Sequence, residues 1–106
     1  MEISRNKLLK EIKKNVLVLE PDAEIILYGS RARGDFSPDS DWDLLVLLNG
    51  KVNRQRKEKI YDSFYKVELK TNEILSPHIK EKMFWNSDLH KATALHKNAI
   101  RDGIKI

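Results

Sequence analysis

Asp41 and Asp43 stand one residue apart in Asp41-Trp42-Asp43-Leu44, at the head of an apolar run that ends at Leu48. On an extended strand successive side chains point to opposite faces. Both carboxylates therefore share one face, about 7 Å apart along the chain, with Trp42 turned away. Two like charges beside a core repel each other and lose hydration, which raises a pKa and costs stability unless a cation sits between them. A hard divalent ion such as Mg²⁺ takes oxygen ligands and keeps positions for water and a substrate phosphate, so Asp41 and Asp43 are expected to hold one. Taken alone, the pair fits a solvated strand start with a cap or turn aspartate better, and what lies upstream decides between the readings.

Upstream, Gly29 follows a short apolar run directly and has no side chain to hold a ligand off the backbone. Ser30 adds a hydroxyl and an amide at the start of what reads as a short helical turn, a place where phosphate oxygens can bind. Arg31 and Arg33 alternate on that turn, and the forked donors of at least one can reach a triphosphate. Arg33 is the expected ligand, beside Gly29 and Ser30. Gly34 then releases the backbone. One half of the stretch suits phosphate and the other suits the cation that a nucleoside triphosphate carries. Together they have the layout of metal-assisted nucleotidyl transfer, in which a metal polarises the α-phosphate, helps deprotonate an acceptor hydroxyl and neutralises the departing pyrophosphate.

The elements that must position these residues follow from periodicity. Ser4 can cap a first helix whose apolar positions Leu8, Leu9, Ile12, Val16 and Leu19 recur at helical spacing, with Pro21 ending it. Ala23 to Tyr28 reads as a buried strand, Gly29 to Ser40 as a loop, and Asp41 to Leu48 as a second strand closed by Asn49-Gly50. Asn53 can cap a long helix with Ile60, Tyr61, Phe64 and Val67 on one side and a basic, solvated face on the other. Glu73 to Ile79 reads as a third strand, in which Pro77 argues for an edge or a strand end. Leu89 to Arg101 reads as a last helix with Gly103 as its cap, and Ile104 to Ile106 as a short strand. This order predicts an α/β or α+β sandwich around a small sheet.

The chain has 106 residues, which predicts one domain over 1–106. It has no cysteine, so disulfides, thiolate catalysis and cysteine-based zinc sites are excluded. No apolar run approaches the ~20 residues of a membrane span, and Met1 to Lys14 is charged where a signal peptide would be apolar, so a cytoplasmic location is expected. The net charge of +4 is unevenly spread: residues 21–50 carry −4 and the remainder +8. Those lysines are interspersed with acids along amphipathic segments, without aromatic interleaving, so nucleic acid is not the expected partner. The pattern G-x-x-x-x-G-K-[ST] of a P-loop does not occur. His78, His90 and His96 have no helical-spacing partners among themselves and read as surface or core histidines.

Gly29-Ser30, ten intervening residues and then Asp41-Trp42-Asp43-Leu44 resemble the signature of the DNA polymerase beta-like nucleotidyltransferase superfamily. The fuller stretch from Gly29 to Val46 resembles its small stand-alone members, the minimal nucleotidyltransferases. The resemblance implies an α+β fold with a small mixed sheet flanked by helices, Mg²⁺ and ATP as ligands, Gly29 and Ser30 in the nucleotide-binding role, and Asp41 and Asp43 as metal ligands. It also implies an antitoxin relationship to a HEPN-domain RNase toxin, and transfer of AMP to a hydroxyl of that partner. Active members use a third carboxylate from a later strand. Glu73 has the better location for it and Glu68 the better local pattern; if the inward residues of the third strand are Ile74 and Ser76, no acid fills the position. In that case a catalytically degenerate antitoxin, binding its partner without chemistry, becomes the alternative.

Overall fold

Ser4 caps the first helix, α1 (Arg5–Leu19), by accepting from the Lys7 amide at 3.3 Å. This structure is a computed structural model describing residues 4–106, so Met1–Ile3 of the expected domain lie outside the described residues. Leu8, Ile12 and Val16, four residues apart, form the buried stripe of α1. Past Glu20 and Pro21 the chain enters β1 (Glu24–Tyr28), then a single helical turn, α2 (Ser30–Arg33), and then β2 (Trp42–Leu48). Asn53 caps α3 (Arg54–Thr71) by accepting from the Arg56 amide at 2.9 Å, and Asn72, at φ 62°, ends it. β3 (Leu75–Glu81), the short turns α4 (Lys82–Trp85) and α5 (Asp88–Lys91), α6 (Ala94–Asp102) and β4 (Ile104–Lys105) complete the chain.

The strands form one sheet in the order β3-β2-β1-β4. β1 is antiparallel to both β2 and β4, whereas β2 and β3 are parallel and joined across the sheet by α3. The sheet is therefore mixed, as expected, and β3 lies at its edge, where Pro77 removes no ladder donor from an inner strand. Leu44, Val46 and Leu48 face one way with Ile25, Leu27 and Ile79, and pack against Leu8, Ile12 and Val16 of α1 and Ile60, Phe64 and Val67 of α3. Leu45 and Leu47 face the other way with Tyr28, and pack under Trp85 and Ala99. Coverage of both faces explains why β2 reads as an unbroken apolar run rather than an alternating one.

Four expectations shift. β3 begins at Leu75, two residues after Glu73, and runs to Glu81. Asp41 precedes β2 instead of opening it. The single helix expected over Leu89–Arg101 is broken, because Ser87 caps α5 by accepting from the His90 amide and Thr93 caps α6 by accepting from the His96 amide. Thr93 also donates to the His90 carbonyl at 2.7 Å, so its side chain closes one helix while opening the next. Gly103 does follow the last helix, but in extended rather than left-handed backbone (φ −66°, ψ 136°). Its reason for being glycine is space: a Cβ there would collide with the Ala99 carbonyl and the Ile26 side chain.

Candidate active site

At the end of β1 the chain passes through Gly29 at φ 76°, a region that disfavours a side chain. The amides of Ala32 and Arg33 both bond to the Gly29 carbonyl at 3.0 Å, and the Gly34 amide bonds to Ser30 O at 2.9 Å. This closes α2 into one tight turn. The amides of Ser30 and Arg31, at its start, have no earlier helical carbonyl to bond and no partner among the described residues.

Tyr28 pairs with Asp43 across the antiparallel β1–β2 ladder, which places Asp43 directly beside Gly29. A Cβ on Gly29 would overlap the Asp43 carboxylate. The Gly29 turn and the Asp43 carboxylate are thus in contact, and the bare Cα of Gly29 is what permits it. Asp43 is half-buried while Asp41 is exposed at the mouth. Burial first, and the charge of Asp41 second, hold the Asp43 carboxyl above the usual aspartate range, whereas His78 and Arg33 pull it back down. The Tyr28 hydroxyl, buried beside this carboxylate, is pushed up to about 12. A desolvated carboxylate next to a second one, open to solvent on one side, is a donor set that fits a hard cation.

The two arginines of the turn have separate fates. Arg31 is buried, with its guanidinium between the rings of Phe36 (4.5 Å) and Trp42 (4.4 Å). It donates to the Ser40 carbonyl from Nε (3.2 Å) and Nη2 (3.0 Å), and to the Pro38 carbonyl from Nη2 (3.3 Å). It therefore fixes the loop that delivers Asp41, a role that its place in the sequence did not reveal. Arg33 points to the open side, where Nε donates to Asp35 (3.3 Å) and Nη1 to Asp102 (3.1 Å).

Neither glutamate considered as a third carboxylate joins the pair. Glu73 accepts from the Trp42 indole at 3.1 Å and lies 3.9 Å from Arg31 Nη2, on Trp42's side of the sheet. Glu68 accepts from the Leu75 amide at 3.0 Å and so helps start β3. In the β2–β3 register Asp43 stands opposite Ser76, and Leu45 opposite His78. The face that Asp43 shares on β3 thus carries Ser76 and the exposed His78. Among the described residues no three His, Cys, Asp or Glu side chains come together as a metal site. His78 as a neighbour of Asp43 depends on strand register, which no local pattern in the sequence specifies.

The chain belongs to the nucleotidyltransferase domain family, whose family model matches residues 5–104. It is 35% identical over 78 residues to a Methanocaldococcus jannaschii protein named "Putative protein adenylyltransferase", covering 72% of this chain and 79% of that one. A crystal structure of a toxin-antitoxin with AMP-PNP has a TM-score of 0.62 at 19% identity, over 97% of this chain and 72% of that chain. A toxin-antitoxin MntA-HpeT mutant has a TM-score of 0.61 at 16% identity, with the same coverages. At such identities these structures carry the fold, and they agree with the α+β architecture expected from the sequence.

Proposed function

We propose that this protein transfers AMP from Mg-ATP to a hydroxyl of a partner protein, and that the partner is a HEPN-type toxin which it restrains. The observation that carries the reading is the contact between Gly29 and Asp43, which sets a phosphate-binding turn against a carboxylate pair. Support for the adenylyl group and the protein acceptor comes from the adenylyltransferase relative, and support for the toxin from toxin-antitoxin neighbours of the same fold. Gly29 and Ser30 would present backbone and hydroxyl donors to the triphosphate, Arg33 a guanidinium, and Asp41 and Asp43 would hold Mg²⁺. The ion, when bound, supplies charge neutralisation at the phosphates. In the reaction the acceptor oxygen bonds to the α-phosphorus, the bond to pyrophosphate breaks, and the hydroxyl proton leaves to solvent. Tyr28, paired with Asp43 across the β1–β2 ladder, and Leu45, on the same face of β2, are both buried beside it.

A second reading is favoured by the place of Ser76 and the engagement of Glu73 with Trp42. Without a third carboxylate the chain can bind nucleotide and partner while chemistry is slow or lost. One experiment separates the two: α-labelled ATP and Mg²⁺ with a HEPN-domain toxin that the chain binds, comparing wild type with Asp41→Asn/Asp43→Asn. Label on the partner that vanishes in the double variant is the expected outcome. No label, from a chain that still binds and silences its partner, would leave a binding module of the same fold.

A further inference from the structure

We infer that Asp102, 69 positions from Arg33, is a positioning residue for nucleotide binding, aiming the Arg33 guanidinium at the phosphate side of the Gly29 turn. The inference rests on the nucleotide reading above and assigns the end of α6 a part in that site. Asp102 sits at the last position of α6, and its side chain is only 7% exposed although it is charged. Its Oδ2 accepts from Arg33 Nη1 at 3.1 Å, while Arg101 brackets it with Nε to Oδ1 and Nη2 to Oδ2, both at 3.1 Å. A shielded carboxylate so held is a fixed anchor. The other acid on Arg33, Asp35, lies two residues away on the exposed loop and is itself 64% exposed.

The surrounding backbone explains why this anchor is at the site. Gly103, with no room for a Cβ, lets the chain turn tightly after Asp102. Ile104 then pairs with Leu27, Lys105 with Ile26, and the Ile106 amide bonds to the Ile25 carbonyl at 3.0 Å. The end of α6 is thereby locked to β1, the strand that runs into Gly29. Arg33 is consequently gripped from two sides of its guanidinium, at Nε by Asp35 and at Nη1 by Asp102. A guanidinium has five N–H donors, and among the described residues Nη2 of Arg33 has no protein partner, so its donors are available to a phosphate. A pre-placed arginine binds an anion without the entropy cost of ordering its long side chain at that moment.

The test is ATP titration by calorimetry in Mg²⁺, with thermal unfolding of every variant. Asp102→Asn is expected to weaken ATP about tenfold, and Arg33→Ala at least as much. The double variant Arg33→Ala/Asp102→Asn is expected to bind no more weakly than Arg33→Ala, because Asp102 acts only through Arg33. A general structural role would instead lower affinity in both backgrounds. Should the asparagine variant not fold, Asp102→Glu, which keeps the charge but displaces it, is expected to weaken ATP about threefold. Unchanged affinity in the Asp102 variants, or additive losses in the double variant, overturns the inference and leaves the nucleotide reading intact. Wild-type protein that does not bind ATP removes the reading itself, and the inference with it.

Discussion

Asp43 is held where burial and the neighbouring Asp41 charge both oppose its ionisation, so at neutral pH the metal-free fold carries an unfavourable charge. Because the folded carboxyl titrates above the 3.8 of a free aspartate, the folded state binds that proton more tightly than the unfolded one. The stabilising contribution is then fully present below that value and is lost as pH rises through the folded pKa. Asp43→Asn should accordingly raise the metal-free Tm at pH 7 by a few degrees, while Mg²⁺ should raise the Tm of wild type and not of the variant; differential scanning fluorimetry reads both. At Gly29 the constraint is steric and conformational together. Gly29→Ala should cost on the order of 1–3 kcal/mol of stability and abolish ATP binding, since the methyl must displace the Asp43 carboxylate. A variant that still bound ATP normally would mean that this contact is not the nucleotide site. That Gly29 and Asp43 come together at one place was legible from type and spacing, because a Gly-Ser turn and an alternating acidic pair are local patterns on neighbouring strands.

At the scale of elements, α2 and the loop after it work as one unit through Arg31. Its stacking between Phe36 and Trp42 and its bonds to the Pro38 and Ser40 carbonyls bind the loop to the sheet. Lysine has neither the planar surface nor the fork, so Arg31→Lys should destabilise by about 2 kcal/mol in urea unfolding and weaken Mg²⁺ binding by mispositioning Asp41. An Arg31→Lys protein as stable as wild type would show that the loop is held by other means. The sequence placed Arg31 as a possible phosphate ligand because alternation on a one-turn helix cannot tell which of two arginines faces the sheet. Burial of Trp42, at the head of the next strand, against which Arg31 stacks, decides it. The break at Thr93 was obscured in another way: Ala92, Leu95 and Ala99 keep helical spacing across it, while the capping side chains of Ser87 and Thr93 end and restart the helix.

Across the whole molecule, the sheet divides two differently built layers: long α1 and α3 on one face, and the three short helices α4 to α6 on the other. In the second layer His90 and His96 both pack on the Trp85 ring, at 5.3 and 4.4 Å between centroids. Burial above all, then the charges of His90 and Lys91, holds the His96 imidazole below its usual range. The unfolded chain therefore takes up this proton first as pH falls. Stability from this group is present above about 6.5 and lost below it, through the lowered folded pKa. Chemical denaturation at pH 7.0 and 5.5 should show a lower midpoint at the acid value, and His96→Gln should flatten the difference; an equal fall in the variant would move the cause elsewhere. The order of elements was legible because the long helices carry their own period and β1 and β2 are short apolar runs bounded by turn residues, and the mixed sheet came with the resemblance, whereas the register that puts Ser76 and His78 beside Asp43 arises only when β2 and β3 meet. The β1–β2 pairing has a further consequence, in time. Gly29 and Asp43 belong to one hairpin and can meet as soon as that hairpin closes, whereas Arg33 must wait for a residue 69 positions away. During refolding the cation end of the site should mature first and the arginine grip last, so that binding of the metal precedes binding of the nucleotide.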